Sequence, residues 1–139
     1  MSMYNKDSKF DIDLSYGEIK EKELALILMN EKIEVKSERG QWQETGNIAV
    51  ELSSRGKPSG LVTTKANWWV TTLNEGDKVK GIIMLPIADM KKHTKTIVKS
   101  GRGKVVMGGD DDTSELALIK ITDLMEEIQN AENKTSRYK

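Results

Sequence analysis

Two short segments in the first half of the chain alternate apolar with polar or small residues. In the segment 47–54 the aliphatic positions are Ile48, Val50 and Leu52, and the segment 32–37 has the same alternation. Successive side chains of a strand project to opposite faces, so this period predicts two strands that each bury one face. The polar stretch between them, which contains two glycines, predicts a loop that joins the strands as an antiparallel hairpin.

Helical and strand patterns alternate along the rest of the chain. Helical periodicity runs from Leu14 to Asn30, and Pro86 suits the first turn of a helix at 87–99. The glycine- and proline-containing loop 55–60 breaks regular structure. Further predicted elements are strands at 68–73, 79–85, 104–107 and 115–121 and a helix at 122–130. This order predicts an α/β or, more broadly, α+β fold in one domain, 1–139, with flexible ends at 1–10 and 133–139.

The composition excludes several kinds of site. The 139 residues include no cysteine and one histidine, His93, which rules out thiol catalysis and makes a Ser-His-Asp triad an unfavourable interpretation. Any metal is therefore expected to be a hard cation held by oxygen ligands. No apolar run approaches the roughly 20 residues that span a bilayer, and the first ten residues do not resemble a signal peptide. We expect a cytoplasmic protein with no membrane partner.

The formal net charge of zero conceals two blocks of opposite charge. Between residues 90 and 104 there are six basic residues and no acid, whereas 110–132 carries eight acids and one lysine. Charge effects are local over about 8–10 Å in physiological salt, so a basic helix face can bind a phosphate backbone on a neutral protein. A solvated helix face balanced by an acidic neighbour explains the same pattern equally well.

An acid and a lysine stand two residues apart in the first predicted strand. Glu34 and Lys36 should share a face, with Val35 turned the other way into an apolar layer. Such a pair can bind a divalent cation beside a phosphate, or it can be a surface salt bridge on an edge strand. If the two predicted strands pair, Glu51 on the second strand lies near Glu34 and Lys36, unless it faces solvent on the outer side of the sheet. Glu18 lies near the side of the first helix expected to face the sheet.

Four blocks of sequence, in a fixed order, resemble a known family. They are IEVK at 33–36, TGNIAVE at 45–51, RGKPSG at 55–60 and NWW at 67–69. Together they resemble small phage-type members of the PD-(D/E)xK nuclease superfamily, which are similar to Holliday-junction resolvases and restriction-type endonucleases. The resemblance covers roughly residues 11–70 and, weakly, the loop 108–114. It implies a restriction-endonuclease-like fold, with a central mixed β-sheet flanked by helices.

The family's sheet carries one acid on a strand, then an acid and a lysine on the next, often with a helical glutamate before both. Two placements are open. Either Glu34 and Lys36 are the second acid and the lysine, which leaves the first acid missing, or Glu34 is the first acid and Glu51 the second. In the second placement Ser53 stands where the lysine is expected, and Lys36 supplies the ammonium from the adjacent strand. We prefer it because no acid is then absent, and Glu18 matches the helical glutamate in either case.

The resemblance implies a Mg²⁺- or Mn²⁺-dependent DNA endonuclease that cleaves phosphodiester bonds, with branched DNA as a candidate substrate, in a bacterial or phage-infected cell. It also implies a homodimer, because symmetric cutting of a junction needs two active sites. The alternative is a nuclease-fold protein without catalysis that binds DNA or a partner, since the lysine is displaced. The implied catalytic residues are Glu34, Lys36, Glu51 and Glu18, of which the three glutamates bind metal; the implied DNA-binding residues are Arg55, Lys57, Lys91, Lys92 and Lys95.

Overall fold

The computed structural model describes the backbone of residues 8–136 and the side chains of residues 15–131. The chain divides into two compact units at the boundary between Lys32 and Ile33. The first contains helix α1 (Ser8–Asn30), which starts earlier than the predicted Leu14 and ends at the predicted residue. The residues of α1 whose burial is described are exposed, except for Gly17 and Ile27, which are half-buried.

The second unit combines two β-sheets with three helices among the described residues. A single 3₁₀ turn, Gly60–Val62, follows the third strand. The strands are β1 (Ile33–Glu38), β2 (Asn47–Ser54), β3 (Lys57–Pro58), β4 (Trp68–Glu75), β5 (Lys78–Pro86), β6 (Lys104–Gly108) and β7 (Ser114–Lys120), and the helices are α2 (Gln41–Thr45), α3 (Ile87–Lys99) and α4 (Ile121–Ser136).

The two strands predicted to form a hairpin lie in different sheets, so that prediction is wrong. One sheet has the order β1-β4-β5, with β1 parallel to β4, and the other has the order β3-β2-β7-β6. Helix α2 occupies the predicted hairpin loop, and Gly46 ends it in a left-handed conformation. The indole N–H of Trp42 donates to the Asn74 carbonyl at the far end of β4 (2.9 Å), which fixes α2 beside the first sheet.

The hydrophobic core is formed by β2, β4, β7 and the inner faces of α3 and α4. The alternation predicted for 47–54 is confirmed, because Ile48 and Val50 are buried. Trp69 is also fully buried, as expected of a core residue, whereas Trp68 is half-buried. His93 is one of the buried residues of α3. The fully buried large side chains are Trp69, Ile48, Met90, Ile97, Ile119, Leu124 and Val50.

The observed architecture is mixed α+β, which confirms the predicted class. It contains two sheets instead of one central sheet. The flexible ends predicted at 1–10 and 133–139 fall partly outside the described residues, and residues 8–10 and 133–136 lie in the terminal turns of α1 and α4. Along the part of the chain that the structure describes, no helix is long and apolar enough to cross a membrane.

Candidate active site

Glu34 and Lys36 share one face of β1, as the strand period predicts. The Lys36 ammonium lies 3.2 Å from Glu34 Oε1, and the two side chains are 39% and 34% exposed. The pair is therefore open enough to meet a ligand, yet it is screened by solvent less than a fully exposed pair is. An ammonium carries three N–H donors, and a single carboxylate contact leaves donor capacity for a phosphate oxygen.

The charged face of β1 is the face that turns toward the core, and this corrects the expectation that Val35 points into an apolar layer. Glu34 is paired in register with Trp69, which belongs to the hydrophobic core, and Glu38 on the same face of β1 accepts a hydrogen bond from Ala49 of the second sheet. Residues in register on neighbouring strands project to the same side of a sheet. Val35 lies on the opposite face and is 55% exposed. Since β1 is an edge strand, its core-side charges remain partly open to solvent.

Glu38 is a third charged residue on this face, and the sequence analysis missed it. Its Oε1 accepts the Ala49 backbone N–H of β2 at 2.7 Å, so one side chain connects the two sheets. Partial burial raises the pKa of the Glu38 carboxyl, and the hydrogen bond from Ala49 lowers it by a smaller amount. Its spacing of four from Glu34 was the available signal, because residues i, i+2 and i+4 of a strand share one face.

Glu51 is placed by a different set of contacts on β2. Its Oε2 accepts a hydrogen bond from Ser59 Oγ at 2.9 Å. Gly60 packs so closely that a Cβ at that position would overlap the Glu51 carbonyl oxygen. Glu51 also lines a pocket of about 380 Å³ that contains Arg55 and two acidic residues, Asp110 and Asp111. The predicted pairing of the Glu51 strand with β1 is wrong, because β1 and β2 lie in different sheets.

Glu18 is exposed on α1, in the first compact unit. Within residues 15–131, no group of three or more acidic or histidine side chains is arranged to hold a metal ion. Within the second unit, Glu34 and Glu51 are therefore not part of a ready-made metal cage among the described residues. Mg²⁺ differs from zinc in this respect, because it commonly keeps several waters and binds through one or two carboxylates together with substrate phosphates.

The basic loop after β2 is held in a strained turn. Arg55 adopts φ 52°, which is uncommon for a residue with a side chain, and its backbone N–H donates to the Thr113 carbonyl at 2.9 Å. The Arg55 guanidinium lies 3.6 Å from the Asp111 carboxylate, and both side chains are mostly exposed. An exposed pair of this kind contributes at most about 1 kcal/mol, so the guanidinium can exchange this partner for a phosphate. Lys57 is exposed on the short strand β3.

The lysines of α3 divide into two groups. Lys91 and Lys95, together with Lys99, border an open groove of about 430 Å³ whose remaining walls are largely aliphatic. Lys92 is exposed and does not line that groove. The predicted basic face of this helix therefore exists, and part of it surrounds apolar surface. The charge of this face was predictable from the sequence, but the groove was not, because its opposite wall comes from β2 and the 3₁₀ turn.

No protein-family model matches this chain, and neither the curated proteins nor the solved structures that were compared with it provide a match.

Proposed function

We propose that this protein is a metal-dependent DNA endonuclease whose active site is built on β1. The observation that carries the proposal is the Glu34–Lys36 pair, a carboxylate and an ammonium 3.2 Å apart on the core side of an edge strand. Both side chains are partly exposed, and the block IEVK that contains them is central to the resemblance to the PD-(D/E)xK superfamily. Hydrolysis of a phosphodiester requires stabilisation of negative charge on the phosphate and a positioned water, and this pair can contribute to both.

Lys36 is the residue that acts on the phosphate in this proposal. Its ammonium lies 3.2 Å from the Glu34 carboxylate, and this contact restricts the rotamers of the lysine. The remaining N–H donors can bind a non-bridging oxygen of the scissile phosphate, where negative charge grows in the transition state. Glu38 helps to hold the strand that carries both residues, through its bond to Ala49.

The residues of this face fit a weakly held Mg²⁺ or Mn²⁺ ion better than a dedicated metal cage. Glu34 offers a partly exposed carboxylate, and the remaining ligands would be waters and the substrate phosphate. When bound, such an ion lowers the pKa of a coordinated water and neutralises phosphate charge. Glu51 and Glu18 stay in the proposal as the second and third acids that the family resemblance implies.

Five basic residues are proposed to bind the DNA backbone. All are exposed, and contacts from such side chains position a duplex without reading its bases. The glycines of the 55–60 loop permit close approach of the chain to a phosphate. The proposed contacts are Arg55, Lys57, Lys91, Lys92 and Lys95.

A homodimer would bring two active sites to a branched substrate. Sedimentation that shows only monomer at micromolar concentration would contradict the proposed homodimer.

The test is cleavage of supercoiled plasmid, linear duplex and four-way-junction DNA by the purified protein with Mg²⁺ or Mn²⁺. We expect Lys36→Met to lower the cleavage rate by at least about 100-fold. Lys80→Met is the matched control, because Lys80 is also a strand lysine paired with a glutamate, Glu75, at 3.5 Å. Failure of the wild-type protein to cut any of these substrates with either metal would overturn the proposal.

A second candidate function is DNA or partner binding without catalysis. The observation that favours it is the separation of the acids, since Glu34 is paired with Lys36 on one sheet and Glu51 is bonded to Ser59 on the other. This candidate predicts DNA binding that Glu34→Gln and Glu51→Gln leave within about two-fold, with no cleavage by any variant. Loss of a measured cleavage activity in Glu34→Gln would exclude it.

A further inference from the structure

The groove beside α3 combines an aliphatic floor with a basic border. Its apolar walls come from Leu52 of β2, from Leu61 and Val62 of the 3₁₀ turn and from Val98 of α3. Val62 is 50% exposed, so aliphatic surface in this groove faces water. The volume of about 430 Å³ is within the range of binding clefts, and an apolar cleft with a few charged groups at its edge is typical of a binding site.

The lysines at the border are regularly spaced. Lys91, Lys95 and Lys99 follow one another at intervals of four residues, so they form a line along α3 that is about 12 Å long. No acidic side chain is among the residues that line the groove, and these three lysines are all exposed. The groove therefore presents a row of positive charge beside aliphatic surface.

We infer that this groove binds an acidic amphipathic helix of a partner protein. A helix presents aliphatic residues at positions i, i+4 and i+7 on one stripe, and this is the usual way in which a helix occupies an apolar groove. Carboxylates at intervals of four on the flank of that stripe repeat with the same rise of about 6 Å as the lysines of α3. Shape, apolar surface and charge are then satisfied by one ligand.

Duplex DNA fits this groove less well, although it would satisfy the lysines. A phosphodiester backbone offers no apolar group to cover Leu52, Val62 and Val98, whose exposed parts would stay in contact with water. An unstacked base would lose hydrogen bonds to water at its polar edges, because the groove walls are mostly aliphatic. Lys91 and Lys95 are also among the proposed DNA contacts, so the helix and DNA would compete for these two lysines, and peptide binding and DNA cleavage are measured separately.

The experiment measures binding of a fluorescein-labelled synthetic helix of about 15 residues, rich in alanine and glutamate, with leucines at i, i+4 and i+7. Fluorescence anisotropy with the full chain should give a Kd of roughly tens of micromolar or tighter. Two matched peptides, one with the leucines changed to serine and one with the glutamates changed to lysine, should each bind at least about ten-fold more weakly.

Paired protein variants locate the site. Lys99→Glu should weaken peptide binding by about ten-fold, whereas Lys92→Glu on the same helix, outside the groove, should change it by less than about two-fold. Val62→Asp should have an effect as large as that of Lys99→Glu. Val79→Asp is its control, because Val79 is equally exposed and lies on β5. Circular dichroism and the urea midpoint of each variant confirm that it is folded.

Absence of peptide binding at millimolar concentration, or binding that Val62→Asp and Lys99→Glu leave unchanged, would overturn the inference. A groove that serves only DNA would give a different pattern, in which the leucine peptide does not bind while Lys95→Glu still weakens duplex binding. Cleavage of DNA by the wild-type protein is measured without the peptide, so failure of this inference is distinguishable from failure of the proposed function.

Discussion

Glu38 is the side chain that connects the two sheets of the second unit. Its carboxylate accepts the Ala49 N–H on the side of β2 that faces away from β7, and an unpaired backbone N–H there would otherwise need water. The same position partly buries the carboxylate, and this raises the pKa of Glu38. Glu38 therefore provides a partner for the Ala49 N–H, but its own carboxylate loses part of its hydration in doing so.

The sign of the pH dependence follows from this pKa. Because the folded-state pKa of Glu38 is raised above 4.5, the folded protein binds this proton more tightly than the unfolded chain does. The contribution of Glu38 to stability is therefore largest in acid. It falls as the pH rises, first through the pKa of Glu38 in the unfolded chain and then through its higher pKa in the folded protein.

We expect Glu38→Gln to relieve this effect, because glutamine keeps an oxygen that can accept the Ala49 N–H and has no charge to desolvate. The variant should be at least as stable as the wild type at pH 7 and should lose that advantage near pH 4. Solvent screening of this half-buried group limits the difference to about 1 kcal/mol or less. Urea unfolding at both pH values measures it, and an advantage that is greater at pH 4 than at pH 7 would contradict the assignment.

At the scale of elements, the turn after β3 is the connection most constrained by close packing. Gly60 adopts φ +55°, and a Cβ there would lie 2.8 Å from Glu51 Cβ and overlap the Glu51 carbonyl oxygen. The 3₁₀ turn that begins at Gly60 carries Leu61 into the core. A residue without a side chain is therefore required where this turn crosses β2.

Gly60→Ala and Gly76→Ala separate backbone strain from steric overlap. Gly76 has almost the same φ, +57°, but no atom within 4 Å of its Cβ position. We expect Gly76→Ala to cost about 1–2 kcal/mol of unfolding free energy, which is the strain of the left-handed conformation. Gly60→Ala should cost about 1–3 kcal/mol more, because the neighbouring strand must also move. Equal losses for the two variants in denaturant unfolding would show that β2 yields to the added methyl group.

At the scale of the whole molecule, zero net charge means that binding to DNA must come from local groups of basic residues. If the five proposed basic residues each contact one phosphate, the slope of log K against log salt concentration should be about −4 to −5 for duplex DNA. Replacement of Lys57 by alanine should make the slope of log K against log salt concentration less negative by about one. A slope near zero, measured by anisotropy over a salt titration, would exclude backbone contacts by this set.

The local pattern of residues was enough to predict most elements and the class of the fold. Alternation in 47–54, the proline before α3 and the glycine-rich turns depend on interactions between near neighbours, and the structure has elements close to these positions. The shared face of Glu34 and Lys36 was also predictable, because the period of a strand is a local property. Helix α2 was missed, since a single turn of five residues has too little periodicity to detect.

The partners of each strand and the inward face of β1 were not predictable from this pattern. The pairing of β1 with β4 joins residues that are 35 positions apart, as in the register of Glu34 with Trp69, and it depends on packing across the whole unit. Alternation reveals two faces but does not say which one the rest of the chain will cover. For this reason the charged face of β1 turned out to be the core side, Glu51 lies in another sheet, and the groove beside α3 became visible only when β2 and the 3₁₀ turn were seen next to the helix.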